Sequence, residues 1–301
     1  MSAPISPPPA ERARRLRTKL KDAALGYAFL LPALVVFGVF AYYPLYRLVY
    51  YATHEQSRFR NRPPQWVGTE QLVDTLRSQD FIQGLTHSGL YMIYTVPLGL
   101  FLGVVLAVST HRRLKGIKIF QTIFSSTVAS SVAVASVVFY TLVNPEIGYF
   151  KDVAWLDLSN PSSALFAVSL SSVWQNLGLT FIVVLAALQA VPDEMIEAAT
   201  LDGYGAVRRF FRITVPLISP ALLFLAIVLV VVALQAYAQI EILTQGGPAG
   251  STETLLFKIA DPRGVRSLGE RGSLSLGLFV LTAAVAGLQY SIMAKRVTYG
   301  D

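Results

Sequence analysis

The side chains that support metal binding, nucleophilic catalysis and phosphate binding are few in this chain and badly spaced for those tasks. There is no Cys, and His54, His87 and His111 do not have the spacing of metal ligands. None of the 21 Gly residues is followed by Lys, so the sequence lacks the glycine-rich loop that cradles the phosphates of ATP. These absences predict a chain without a metal site or a nucleotide site of its own.

A polar segment between two long apolar stretches, residues 191–216, has the most distinctive residue pattern. Pro192 suits the first turn of a helix, and the acidic residues that follow it suit the positive end of the helix dipole. Gly203 and Gly205 then permit a bend. A second short helix can follow, with arginines toward its C-terminal end and an apolar face. We therefore predict two short helices joined by a bend.

Uncharged polar side chains inside the apolar stretches form a second set of candidates. They are Trp174, Gln175, Asn176, Gln235, Tyr237 and Gln239. Amides and aromatic rings of this kind can bind the hydroxyl groups of a polyol or sugar in a path across a membrane. The alternative is that the amides hydrogen-bond between helices and hold the bundle together. The sequence leaves both interpretations open.

The elements that carry these residues are long apolar helices. Hydrophobic residues make up 53% of the 301-residue chain and charged residues only 14%, whereas a soluble domain carries about 25% charged residues. Six stretches without Asp, Glu, Lys or Arg are each longer than the roughly 20 residues that cross a bilayer. The predicted spans are 25–46, 85–109, 119–143, 164–190, 217–240 and 274–294. This pattern excludes a soluble enzyme, a nucleic-acid-binding protein and a disordered chain.

The distribution of Lys and Arg predicts the orientation of these spans. Six basic residues lie in the N-terminal tail, residues 1–24. Together with 110–118, 191–216 and the C-terminal tail 295–301, the segments on that side hold 15 basic residues in 66, against 10 in 91 on the other side. Positive charge concentrates on the cytoplasmic side of membrane proteins. We therefore expect an all-α integral membrane protein with a six-helix domain, residues 25–294, and both termini in the cytoplasm.

The predicted spans contain no Asp, Glu, Lys or Arg, which helps to distinguish between classes of membrane protein. Ion-coupled carriers usually keep a charged group within the membrane, because burying one is costly and is retained only for a task. An intramembrane enzyme would likewise need paired acids or a metal motif in a span. Both classes are disfavoured.

Gly99 and Gly103 form a small-residue pair of the type that allows close helix contact.

The cytoplasmic segment also carries a motif with fixed spacing. The motif begins with Glu197-Ala198-Ala199. Gly203 lies six residues after Glu197, Ile213 lies sixteen residues after it, and Val215-Pro216 completes the motif. This pattern resembles the signature of the permease subunits of bacterial ATP-binding-cassette (ABC) importers, in which the final pair is Leu-Pro. Further runs, such as Ser172–Asn176 and Gly246–Pro248, resemble the carbohydrate-uptake class. Within that class they are most similar to the first permease subunit of sn-glycerol-3-phosphate importers.

The resemblance implies a type I ABC importer permease fold in the bacterial plasma (inner) membrane. The segment 191–216 would be the coupling loop that docks on an ATPase subunit. Its docking residues would be Glu197, Ala198, Ala199, Asp202, Gly203, Arg208, Arg209, Phe210, Ile213 and Pro216. The implied partners are a second permease, two ATPase subunits, an extracytoplasmic solute-binding protein and membrane lipid, but no nucleic acid.

The same resemblance implies a non-catalytic subunit that binds no cofactor, with ATP and Mg bound by the partner ATPases. The implied solute is small and hydroxylated, and glycerol-3-phosphate or a glycerophosphodiester is preferred. The alternatives are a sugar importer or, with less support, an ion-coupled secondary carrier.

Overall fold

The computed structural model describes residues 21, 25–55, 64–111, 116–264 and 266–293. Most of the predicted N-terminal tail 1–24 and all of the C-terminal tail 295–301 lie outside the described residues. The helices in chain order are α1 (Leu25–Thr53), α2 (Glu70–Arg77), α3 (Gln79–Thr110), α4 (Ile117–Ser125), α5 (Val132–Val143), α6 (Ala164–Gln189), α7 (Asp193–Leu201), α8 (Ala206–Leu217), α9 (Ser219–Leu234), α10 (Ala238–Leu243), α11 (Leu255–Ala260) and α12 (Leu268–Met293).

Three further short features complete the described fold. Strands β1 (His54–Glu55) and β2 (Gln65–Trp66) pair antiparallel, so that His54 lies opposite Trp66. A 3₁₀ turn, Ser126–Ala129, extends α4, and another spans Ala154–Leu156. The fold is otherwise helical, as the sequence predicts.

Four helices, α1, α3, α6 and α12, are each long and apolar enough to cross a membrane. Three of them extend beyond the predicted spans: α1 continues past residue 46 to Thr53, α3 begins at Gln79, and α12 begins at Leu268 rather than at 274. The predicted ends were placed within the charge-free stretches, but a helix can continue past the apolar core, where water solvates its charged residues.

Two predicted spans are not straight helices. The stretch 119–143 divides into α4 with its 3₁₀ extension and α5, and these two parts meet at 109°. The stretch 217–240 begins at a 70° bend between α8 and α9, and its helix ends at Leu234 rather than at 240. The described residues therefore contain four unbroken candidate spans, or up to six if each bent pair counts as one.

The packed centre of the molecule is formed by α3, α6 and α9. The most extensive helix contact joins α3 and α6, and α9 packs on α3. Buried apolar side chains from all three helices fill this centre, among them Tyr91, Val168 and Leu229. A Cβ atom at Gly103 would overlap Thr180 on α6, so the glycine permits the close approach that the pair with Gly99 predicts.

The outer surface of the bundle is apolar. Large side chains such as Phe29, Phe40 and Phe101 are more than half exposed. The first half of α1, including Phe29 and Phe40, has no buried residue. In water this arrangement would be unfavourable, but it suits helices whose outer faces contact lipid.

Candidate functional site

The predicted coupling loop, residues 191–216, begins with the helix that its sequence predicts. Pro192 has extended backbone angles and immediately precedes α7, whose first turn holds Asp193 and Glu194. Negative charge at this end of a helix interacts favourably with the helix dipole. The local sequence is therefore sufficient to explain where α7 starts.

Gly203 ends α7 and turns the chain. Its φ angle is +77°, a conformation that side-chain-bearing residues adopt only with strain. Around it, the N–H of Asp202 donates to Ala198 O, and the N–H of Tyr204 donates to Ala199 O at 3.0 Å. These bonds satisfy the last carbonyls of the helix. The bend between α7 and α8 thus has a defined angle.

Two side-chain contacts hold the bend between α7 and α8. The Arg209 guanidinium donates a hydrogen bond to Thr200 Oγ1 at 2.6 Å. The Arg208 guanidinium lies 4.7 Å from the centre of the Tyr204 ring, which is within cation–π range. The hydrogen bond joins α7 to α8, and the cation–π contact joins α8 to the bend.

The surface of this unit combines acidic and apolar groups. Leu201, at the tip of α7, is 89% exposed, and Val207, Phe211 and Met195 are also exposed large apolar residues. Phe211 belongs to the apolar face that the sequence predicts for the second short helix. Sequence reasoning overlooked the other three, although an apolar residue at the tip of a polar helix is an available signal. A surface of this composition suits burial against a partner protein.

The predicted docking residues differ in their exposure. Glu197, Ala198, Asp202, Gly203 and Arg208 are exposed; Arg209, Phe210, Ile213 and Pro216 are partly buried. Ala199 is buried, so its small side chain serves packing inside the loop rather than the close approach of a partner that was expected.

The predicted solute contacts have different surroundings. Gln235 lines a cavity of about 440 Å³, whose lining includes none of the other five residues. Asn176 donates to the Ser172 carbonyl of its own helix at 2.8 Å, and Gln239 is buried. The Tyr237 ring stacks on Phe257, with their centres 5.9 Å apart. Asn176 and Tyr237 therefore have partners within the chain, whereas Gln235 lines open space.

An ion-pair network that the sequence did not predict lies beside α11. Lys258 is only 4% exposed, and its Nζ lies 2.9 Å from Asp80 Oδ1 and 3.2 Å from Glu253 Oε2. Arg266 adds a second pair to Asp80 at 2.8 Å. The N–H of Leu255 donates to Ser88 Oγ at 2.9 Å. Short α11 is thereby attached to the start of α3.

A second ion pair, between Asp261 and Arg263, follows α11 in the chain. Burial alone would raise the pKa of Asp261, but hydrogen bonds from the Arg263 side chain and backbone hold that pKa below its ordinary value. Among the described residues, no three His, Asp or Glu side chains are placed to hold a metal ion.

Comparison with known proteins places this geometry in a family. A family model described as "Binding-protein-dependent transport system inner membrane component" matches residues 96–296. The chain is 29% identical over 283 residues to the sn-glycerol-3-phosphate transport system permease protein UgpA of Yersinia pestis bv. Antiqua (strain Antiqua), covering 91% of this chain and 96% of that protein. It is 28% identical to the protein of the same name from Agrobacterium fabrum, covering 92% and 97%.

Solved structures share the fold. The chain superimposes with a TM-score of 0.77 on a chain of a bacterial ABC transporter involved in the import of the acidic polysaccharide alginate, at 22% identity, covering 93% of this chain and 99% of that one. The fold and the exposed loop define a membrane permease of the ABC importer class.

The chain belongs to the family of binding-protein-dependent transport system inner membrane components. It is a multi-pass protein of the bacterial inner membrane. Permeases of this family are generally non-catalytic and leave ATP hydrolysis to partner subunits.

Proposed function

We propose that this chain is a non-catalytic permease subunit that docks on an ATPase through α7 and translocates a small hydroxylated solute. The observation that carries the proposal is the exposure of the segment 191–216, with Leu201 at the tip of α7. ATP and Mg would be bound by the ATPase subunits, and this chain would bind no cofactor.

The contacts of the loop suggest how ATP-driven movement would reach the membrane. The Arg209–Thr200 hydrogen bond ties α7 to α8, and α8 continues through the bend into α9. Displacement of α7 by a closing ATPase would therefore move α9, which packs on the central helix α3. Alternating access would follow if the opposite half of the complex moved in the same way.

The assembly that this mechanism requires contains four kinds of subunit. A second permease would complete the solute path, two ATPases would each engage one coupling loop, and an extracytoplasmic binding protein would deliver the solute. One alginate transporter of similar fold was crystallised with a pentasaccharide-bound periplasmic protein. Each permease chain would cross the membrane six times, with both bent helix pairs counted as spans and with both termini in the cytoplasm.

For the solute, glycerol-3-phosphate or a glycerophosphodiester is preferred over an oligosaccharide. The preference is supported by relatives that match over nearly their whole length and are named for sn-glycerol-3-phosphate transport. A sugar is the second candidate, because a transporter of similar fold is involved in the import of a polysaccharide. An amide such as Gln235 can bind hydroxyl groups in either case.

The test is solute-stimulated ATPase activity of the complex. The chain would be co-expressed with the neighbouring subunits, reconstituted and supplied with binding protein and a panel of glycerol-3-phosphate, glycerophosphodiesters and sugars. We expect stimulation by a glycerophosphate compound. Stimulation by a disaccharide alone would overturn the solute preference and leave the importer assignment intact, whereas failure to recover any ATPase with this chain would overturn the assignment itself.

A further inference from the structure

Three residues that lie in no helix interrupt the fifth apolar stretch. Helix α9 ends at Leu234 and α10 begins at Ala238, although no charged residue interrupts residues 213–240. A continuous helix carries a displacement along its length, because each turn is hydrogen-bonded to the next. The break removes that connection, so movement of α9 reaches the residues that follow it through other contacts.

The segment after the break, residues 238–260, contacts four helices. Its first helix, α10, packs on α5 and α6, whereas its last helix, α11, packs on α3 and α12. Polar contacts strengthen the attachment of α11 to the start of α3: the N–H of Leu255 donates to Ser88 Oγ at 2.9 Å, and Lys258 pairs with Asp80. The segment therefore connects the break to the start of α3.

The Thr254 hydroxyl joins the break to α11. It donates to Ala236 O, within the break, at 3.0 Å, and its oxygen accepts from the N–H of Phe257 in the first turn of α11 at 3.4 Å. The Tyr237 ring, which also belongs to the break, stacks on the Phe257 ring. One side chain thus holds the start of α10 and the start of α11 together.

The burial of Thr254 determines where its hydroxyl can act. The residue is 0% exposed, and both of its side-chain hydrogen bonds are made to backbone groups of this chain. A carbonyl that a helix break leaves free is costly to bury without a partner, and Thr254 supplies that partner to Ala236. The hydroxyl therefore acts between parts of the chain and not on a solute.

We propose that Thr254 is a positioning residue that couples α9 to the start of α3 during transport. When α7 displaces α9, the hydrogen bond to Ala236 makes α11 follow, and α11 is fixed to α3 through Ser88 and Lys258. This link adds to the direct packing of α9 on α3. The inference rests on the proposed function and extends it by placing a residue outside the coupling loop on the path of the movement.

The test measures how many solute molecules the complex transports for each ATP that it hydrolyses. Proteoliposomes are supplied with radiolabelled glycerol-3-phosphate and its binding protein. Thr254→Val keeps the shape of the side chain and removes the hydroxyl, and we expect the ratio to fall about 2- to 10-fold, the factor that corresponds to one hydrogen bond. Thr254→Ser keeps a hydroxyl and should keep the wild-type ratio. A loss of stability alone lowers transport and ATP hydrolysis together, so it leaves the ratio unchanged.

Thr252→Val is the matched control. Thr252 is also 0% exposed and lies in the same segment, and its hydroxyl donates to Gly247 O at 2.9 Å. Both partners of that bond, however, lie in the loop between α10 and α11, so the bond does not connect the break to α11. We expect Thr252→Val to lower the unfolding temperature, as Thr254→Val does, and to keep the wild-type ratio.

A second variant tests the next contact on the same path. Ser88→Ala removes the acceptor for the N–H of Leu255 with little change in volume, and we expect it to lower the ratio in the same direction. It also supplies the measurement if Thr254→Val does not assemble. An unchanged ratio in Ser88→Ala would then overturn the proposal.

The outcomes separate this inference from the proposed function. If the wild-type complex transports but Thr254→Val has the same ratio as Thr252→Val, or if Thr254→Ser is as impaired as Thr254→Val, the positioning role is overturned and the permease assignment stands. If glycerol-3-phosphate is not transported, the proposed solute fails, and the ratio is measured with the compound of the panel that is transported. If no ATPase activity depends on this chain, the proposed function and the positioning role both fail.

Discussion

At the scale of single residues, Leu201 is the side chain whose exposure most needs a partner. An 89% exposed leucine contributes nothing to packing within the chain, but burial in a groove of an ATPase would gain about 1.5–3 kcal/mol. Leu201→Asp should therefore weaken ATPase binding at least tenfold while the chain remains in the membrane. Co-purification of the ATPase with the tagged permease measures this effect.

Ile147→Asp is the matched control, because Ile147 is a large apolar residue that is 83% exposed outside the coupling loop. Equal ATPase recovery with both variants would contradict the docking role of Leu201. The same assay applies to Glu197→Lys and Gly203→Asp, which we also expect to uncouple without loss from the membrane.

The free-energy cost of breaking the ion pairs of Lys258 depends on which side chain is left without a partner. Lys258 is nearly inaccessible to water, whereas Asp80 and Glu253 are 51% and 33% exposed. Removing both carboxylates with Asp80→Asn and Glu253→Gln leaves a buried charge without a partner, which costs about 3–5 kcal/mol. Adding Lys258→Met to that double variant should recover much of the loss. Thermal unfolding in detergent compares the variants, and a triple variant no more stable than the double one would refute the argument.

At the scale of helices, the contact between α3 and α6 depends on the absence of a side chain at Gly103. Gly103→Ala would place a methyl group against Thr180, with an overpacking cost of about 1–3 kcal/mol that opposes a gain in helix propensity of about 1 kcal/mol. At Gly99 the nearest atom is 3.9 Å from such a methyl, so Gly99→Ala has only the gain. We expect a lower unfolding temperature for Gly103→Ala than for Gly99→Ala, and the reverse order would be inconsistent with the packing described here.

At the scale of the whole molecule, the charge distribution predicts the orientation of the chain. Reporters fused after residue 301 or within 110–118 should be active on the cytoplasmic side, and one within 144–163 on the outer side. If the reporter within 110–118 stays cytoplasmic, an alkaline phosphatase fusion that is active after residue 301 would require an odd number of spans between them and would show that one bent helix pair is not a complete crossing.

The length of each helix was harder to predict than its existence. Charged residues were used as limits, yet α12 contains Glu270 and Arg271 and starts before both. The break after Leu234 was not predictable from local sequence, because the groups that stabilise it, such as Thr254, come from another part of the chain. From the sequence alone, Lys258 cannot be distinguished from an ordinary loop charge, because only the fold places two carboxylates beside it.

The sequence by itself determined that this chain lies in a membrane and that two short helices with a bend between them occupy the polar segment 191–216. Both conclusions depend on neighbouring residues: the apolar length of each stretch sets its transfer into lipid, and Pro192 and Gly203 act on the backbone where they stand. Only the tertiary structure decided that Gln235, Ser275 and Thr282 share one cavity, because they lie on helices far apart in sequence that meet only after α9 and α12 pack together. Local chemistry therefore predicts the elements, whereas the positions at which side chains converge depend on how those elements pack.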